Sequence, residues 1–220
     1  MSTDSVARPR GLARHAPVLA LSAACLYLLI VAALHVLQPE TDPFTEPVSA
    51  YAHGRGGPAL QVGIFSAGAG ALALVVAIIP LLARTRSRAR LALGTVTLGI
   101  YGIAQLAQAF FPIDDDGATT AIGAVHNALG NLVFFIQPVA AVLVGTTLAH
   151  LGGSRAPAVL GWLLAAMVVM VLLAANVVGF FGLAQRLYLT TAAVWVIMSA
   201  VAVRVIVALG PPPASRLTRG

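Results

Sequence analysis

The chain has 220 residues, of which 59% are hydrophobic and only 9% charged, and its mean hydropathy is +0.93. Soluble domains carry about a quarter charged residues, so a water-solvated globule is excluded and lipid must be the solvent for most of the chain. The net charge of +6 comes wholly from arginine, because there is no lysine. Those arginines sit at the ends of apolar runs and form no recognition stripe, which argues against nucleic acid as a partner.

Residues 1–16 read as a basic tail carrying Arg8, Arg10 and Arg14. The first apolar run, Pro17–Leu37, is longer than the 7–15 residues typical of a signal-peptide core, so it is expected to be a retained helix. Cys25, the sole cysteine, lies within it and cannot form an intramolecular disulfide. Five further runs have the length of about 20 residues needed to cross a ~30 Å hydrocarbon core: Pro58–Ala83, Leu91–Phe111, Ala121–Leu148, Val159–Phe181 and Leu187–Leu209. Strands would leave backbone groups unpaired in lipid. The expected fold is therefore all-α, an integral membrane bundle of six transmembrane helices over residues 17–209, with a second short tail at 210–220.

Charge sorts the two ends. Ten arginines fall on one side: the three of the first tail, Arg84, Arg86, Arg88 and Arg90 between the second and third runs, Arg155, and Arg216 and Arg219 at the end. Only Arg55 and Arg186 fall on the other, and Arg204 lies within the last run. Glu40, Asp42, Glu46, Asp114, Asp115 and Asp116 all lie opposite the arginine side, with Asp4 alone on it. The positive-inside rule then predicts a plasma-membrane protein with both termini cytoplasmic and three hairpins whose loops face outward. The Arg84–Arg90 stretch is expected to meet anionic lipid of the inner leaflet.

The first outward connection, Gln38 to Gly57, is the longest, and prolines 39, 43 and 47 stiffen it. It carries Asp42, Glu46, Ser49, Tyr51, His53 and Arg55, and a loop of this length suggests a lid or a re-entrant segment as readily as a solvated acidic loop. Small residues in the second and third runs, Gly63, Ser66, Ala67, Gly70 and Ala71, then Gly94, Gly99 and Gly102, are expected to let helices approach closely. Gln105 and Gln108 end the third run, and Asn176 nears the end of the fifth.

In the fourth run, His126, Asn127, Gly130, Asn131, Phe134 and Gln137 recur at helical spacing as one stripe. It is too polar for lipid and should face the interior, where amides act either as interhelical glue or as the lining of an outward cavity. His126 needs a polar partner at that depth. An Asp114 carboxylate beside it would make a proton-transfer pair, while the plainer role for Asp114–Asp116 is to cap the fourth helix. Ser49 with a nearby histidine and acid is a weaker nucleophile candidate, since no GxSxG accompanies it. His35, His53 and His126 have no metal-ligand spacing, so no metal site and no cofactor are expected. Arg186 is expected to open the last helix and to pair with an outer acid, with an anionic headgroup as the alternative.

Leu34-His35, Asp42-Pro43, Val48-Ser49-Ala50-Tyr51, Phe111-Pro112-Ile113-Asp114, Gly123, His126 and the Gly182–Arg186 turn together resemble the prokaryotic membrane family catalogued as domain of unknown function 998. The likeness runs from the first helix through the last. It points to His35, Asp42, Ser49, Tyr51, Asp114 and His126 as the residues that carry it, and it brings no activity with it. Gln185 departs from the family pattern, in which an acid precedes the arginine.

Three functions fit the sequence. The first is a protein handling a lipid or isoprenoid in an outward cavity, with Asp114, His126, Ser49 and Tyr51 as catalytic candidates. His35, Asp42, Glu46, His53, Gln105, Gln108, Asn127, Asn131, Asn176 and Arg186 would then be ligand-binding candidates. A metal-dependent amidase similar to the alkaline ceramidases would be a special case, needing a three-histidine site that the sequence does not supply. The others are a structural or accessory protein, and a small transporter subunit, against which stands the lack of a midplane charge or a broken helix.

Overall fold

The computed structural model describes residues 12–114, 118–177 and 179–210. It contains α1 (Leu12–Leu37), α2 (Gly57–Ile78), α3 (Arg88–Gln108), α4 (Ala121–His150), α5 (Ala156–Val177) and α6 (Phe181–Leu209). A short 3-10 helix, Val48–His53, interrupts the first connection, and another, Ile79–Ala83, extends α2. All six α-helices are long and apolar enough to cross a membrane, and no strand occurs among the described residues. The helices pack as a ring in chain order, α1 closing on α6, and α6 also touches α2 and α4. Large apolar side chains such as Leu29, Ile103, Trp162 and Leu173 face outward, as expected where lipid replaces water.

Local chemistry sets the boundaries. Pro58 stands in the first turn of α2, where its missing N–H costs nothing. The Thr120 hydroxyl accepts from the Gly123 N–H at 3.1 Å and starts α4. At the other end of α4, the Gly152 N–H bonds to the Ala149 carbonyl and the Gly153 N–H to the Leu148 carbonyl. Gly152 has φ +87°, so these bonds close the left-handed stop in which glycine is favoured.

Several boundaries differ from the expectation. The fifth helix ends at Val177 rather than Phe181, and the sixth begins at Phe181 rather than Leu187. Gly179, at φ +68°, turns the chain, after which the Gly182–Arg186 segment winds as the first turns of α6 instead of a loop. The third helix stops at Gln108, three residues short of Phe111.

Close approach is concentrated at particular glycines. A Cβ on Gly68 would lie 2.8 Å from the Gly102 carbonyl oxygen and the Leu106 nitrogen, so α2 and α3 meet backbone to backbone there. Gly161 on α5 sits against the Ala141 backbone of α4 in the same way, and Gly145 against Pro157. Gly99, expected among the packing positions, has nothing within 4 Å of a built Cβ. It faces away from the bundle.

Pro138, inside α4, cannot donate to the Phe134 carbonyl one turn earlier. The Tyr188 hydroxyl of α6 donates to that carbonyl at 3.0 Å. A buried tyrosine and a proline-freed acceptor thus satisfy each other, which lipid cannot do for either. Trp195, fully buried, similarly donates its indole N–H to the Pro157 carbonyl at 3.0 Å.

Candidate functional site

The long first connection is not loose. Asp42 and Glu46 fold its first half into a turn: the Asp42 carboxylate accepts from the Phe44 N–H at 2.9 Å and from the Thr45 hydroxyl at 2.6 Å. The Glu46 carboxylate in turn accepts from the Asp42 N–H at 2.6 Å. The Thr45 hydroxyl, and then the Phe44 N–H, hold the Asp42 carboxyl below the ordinary carboxylate range. With these carboxylates used locally, the turn presents the Pro43, Phe44 and Glu46 backbone carbonyls to α6.

Arg186 takes those carbonyls. It lies in the second turn of α6 and is only 8% exposed. Its Nη1 donates to the Glu46 carbonyl at 2.5 Å and to the Pro43 carbonyl at 3.0 Å. Its Nη2 donates to the Tyr51 hydroxyl at 3.3 Å and its Nε to His35 Nε2 at 2.9 Å. The guanidinium also stands 5.5 Å from the centre of the Tyr51 ring, within cation–π range. The expected pairing of Arg186 with an outer acid is corrected here. Its direct acceptors are two carbonyls, a hydroxyl and an imidazole, because the nearby carboxylates are spent inside the loop's own turn.

His35 completes this cluster. Its Nδ1 lies 2.7 Å from the Val31 carbonyl, which can only accept, so Nδ1 carries the proton and Nε2 is free to accept from Arg186. Sequence reasoning missed two further anchors. The Gln185 side-chain oxygen accepts from the Val48 N–H at 2.6 Å, capping the short 3-10 helix. Buried Gln38 accepts from the Gly56 N–H at 3.0 Å and ties the loop's two ends together. An acid at position 185 could accept the same bond; glutamine does so without adding charge.

Beneath this roof lies a cavity of about 490 Å³. Pro47, Val48 and Ser49 of the loop line it, with residues from all six helices. Of the sequence-predicted residues, Ser49, Gln105, Gln108, His126, Asn127 and Asn131 share its wall. The α4 stripe therefore does face one space, except that Gln137 lies outside the lining, fully buried and without a hydrogen-bond partner among the described residues. Tyr27 and Gln185 also reach the wall, and the rest of it is apolar, including Phe134, Phe135, Val168, Val171 and Leu189.

The polar groups of the wall differ in how far the protein already uses them. His126 Nδ1 lies 2.7 Å from the Phe111 carbonyl and so holds the proton. Its Nε2 is left as an acceptor, with the Gln108 amide nitrogen at 3.4 Å. Gln105 reaches the Tyr101 hydroxyl at 3.5 Å. No hydrogen bond from the side chains of Ser49, Asn127 or Asn131 occurs among the described residues. The cavity thus offers the Ser49 hydroxyl, the Asn127 and Asn131 amides and the His126 imidazole beside the partly used Gln105, Gln108 and Gln185 amides and the Tyr27 hydroxyl, with no carboxylate or guanidinium in its wall.

Asp114 lies outside the cavity wall, though close enough to His126 for the two to interact electrostatically. Its carboxylate accepts from the Thr120 hydroxyl at 2.5 Å and from the Thr120 N–H at 2.9 Å, and it does not line the cavity. These bonds, the Thr120 hydroxyl first, hold the Asp114 carboxyl below its ordinary 3.8. Because the folded value is depressed, the stabilisation is fully present above the unfolded carboxyl's value and fades as pH falls through the lower folded one. We expect helical structure at the start of α4 to be unchanged from pH 8 to pH 5, with Asp114→Asn weakening it across that whole range; hydrogen exchange at Ala121–Ala124 measures both. A built Cβ on Gly123 would fall on the Asp114 carboxylate, which explains why glycine suits that position.

The other candidates are dispersed. Tyr51 is fully buried under Arg186, Asp42 and Glu46 stay in the loop turn, and His53 is exposed at the end of the 3-10 helix. The Asn176 side chain and Asp115 and Asp116 lie outside the described residues. His35 and His126 are each bonded to separate backbone carbonyls, and no three His, Cys, Asp or Glu residues gather as a metal site among the described residues.

A ring of six apolar helices, with a pinned loop over a partly polar cavity between them, defines a multi-pass membrane protein. The chain matches the family model described as "Protein of unknown function (DUF998)" over residues 21–202, and it belongs to that family. No curated protein and no solved structure matches it.

Proposed function

We propose that this protein holds a membrane-borne amphiphile, a lipid or isoprenoid with an uncharged polar head, in the cavity under the first loop. The observation that carries this reading is the cavity wall itself: Ser49, Asn127, Asn131 and His126 Nε2 supply hydrogen bonds, while Phe134, Phe135, Val171 and Leu189 supply an apolar bed. A charged head would enter such a wall without a counter-ion, at a desolvation cost that favours a neutral one. His126, its Nδ1 bonded to the Phe111 carbonyl and its Nε2 holding only the long 3.4 Å contact with the Gln108 amide, is the lining group suited to take a proton from a hydroxyl there. Asp114 is positioned to serve that chemistry only indirectly, by fixing the start of the helix that carries His126.

The cavity end faces away from the cytoplasm in this proposal, with the Arg84–Arg90 stretch against anionic inner-leaflet lipid. The arginine and acid sorting supports that sidedness. It is tested with single-cysteine variants in a Cys25→Ala background. On intact cells an impermeant thiol reagent is expected to label Thr119→Cys and to spare Ala89→Cys until the membrane is permeabilised; the opposite pattern inverts the topology.

Ligand holding is tested by purifying the protein in mild detergent and identifying co-extracted lipid by mass spectrometry. A single neutral amphiphile at about one per chain is expected, falling at least several-fold in Asn127→Ala/Asn131→Ala. A lipid content equal to that of bulk membrane, unaltered by the double substitution, contradicts the proposal.

A further inference from the structure

The opposite end of the bundle carries a second recess, independent of the cavity and of the function proposed for it. Arg14 and Pro17 of α1, Ala77 of α2, Pro80 of the 3-10 extension, and Val203, Arg204, Val207 and Ala208 of α6 enclose about 210 Å³. Pro17 and Ala77 are buried and form its floor, while both arginines are exposed.

The arginines at this end are not equivalent. Arg84 donates to the Ile206 carbonyl at 3.5 Å and Arg88 to the Leu82 carbonyl at 3.1 Å, so both are partly committed to the protein. Arg14 and Arg204 have no hydrogen bond or ion pair among the described residues. Every described acid, Glu40, Asp42, Glu46 and Asp114, belongs to the other end of the bundle. Two guanidinium groups therefore share one apolar recess with no acid among its lining residues. Like charges so placed repel, and an anion between them would relieve the repulsion. The recess is walled by residues of membrane-crossing helices, so an anion bearing an apolar chain satisfies both the charge and the walls.

We propose that Arg14 and Arg204 bind the phosphate of an anionic membrane lipid, whose acyl chain lies along Pro17, Val203 and Val207. Guanidinium suits this because its fork of donors matches phosphate oxygens. The phosphate chemistry is shared with free inorganic phosphate, and the apolar floor favours the lipid.

The test uses the full-length protein in nanodiscs of phosphatidylcholine doped with phosphatidylglycerol, followed by native mass spectrometry. The wild type is expected to retain phosphatidylglycerol over phosphatidylcholine. Arg14→Gln/Arg204→Gln is expected to weaken that retention by roughly tenfold or more, as follows from losing two basic contacts to an anionic headgroup. Arg55→Gln/Arg155→Gln, equal in charge change and outside the recess lining, is expected to retain it. Equal loss in both pairs, or no loss in either, overturns the site. Displacement of the lipid by millimolar inorganic phosphate overturns the lipid assignment. Should the double variant fail to fold, the wild type alone decides: equal retention of the two lipids overturns the proposal, and selective retention lost at high salt supports it.

Discussion

Arg186→Gln is expected to unseat the first loop and to lower stability by on the order of 3 kcal/mol, since hydrogen bonds to a charged group contribute roughly 1.5–3 kcal/mol each and their orphaned partners cost more. Two features make the effect large. The Arg186 side chain serves four acceptors at once, His35, Pro43, Glu46 and Tyr51, which no other residue type can reach together. It also sits near the positive N-terminal end of α6, where a cation is disfavoured, so the loop carbonyls offset a cost as well as docking the loop. Loss of the side chain removes the tie at both ends of the turn. Thermal unfolding in detergent measures the stability change, and limited proteolysis between residues 38 and 57 reports the loop. Arg186→Lys keeps the charge and loses the fork, so it should fall between wild type and Arg186→Gln. A glutamine variant with wild-type melting and a protected loop contradicts the latch.

Gly68→Val should disrupt the pairing of α2 and α3, at about 3 kcal/mol or above, the upper range for overpacking. The two nearest atoms to a built Cβ at Gly68 are the Gly102 oxygen and the Leu106 nitrogen, both backbone at 2.8 Å, so moving the Leu106 side chain, whose Cγ lies at 2.9 Å, cannot make room. Helices in lipid gain nothing from hydrophobic exclusion and depend on such close packing. Gly99→Val is the matched control on the facing helix: it meets nothing within 4 Å and should be nearly neutral. Comparable melting of the two variants would show that glycine content, rather than contact, governs this bundle.

These two sites also mark where the sequence could and could not be read. The six spans follow from composition, because lipid solvation demands long apolar runs whatever their packing. The α4 stripe was legible in part for the same reason: His126 and Gln137 are buried, whereas Asn127 and Asn131 line the cavity while remaining exposed. Arg186 was not. Its charge suggested an acid, and nothing in a string of residues shows that Asp42 and Glu46 consume their carboxylates on their own loop and that the Pro43 and Glu46 carbonyls take the arginine instead. Gly68 was passed over within a Gly/Ala-rich run, and Gly99 included, because small residues look alike until the neighbouring helix is in place. The start of α6 was hidden by the apolar stretch Val177–Leu183, which continues the α5 pattern through a turn that only the Gly179 backbone reveals.

The occupant of the cavity is the centre of the account, and Gly130 gives direct access to it. Gly130 lines the cavity, and a built Cβ there meets only the Gln108 side chain, at 3.2 Å. Gly130→Leu should therefore fill the space without striking backbone. With wild type and variant purified side by side, bound neutral amphiphile per chain is the quantity to measure. The account predicts about one in the wild type and a several-fold fall in Gly130→Leu, with melting unchanged or raised. Equal amounts in both proteins, or none in either, would contradict it.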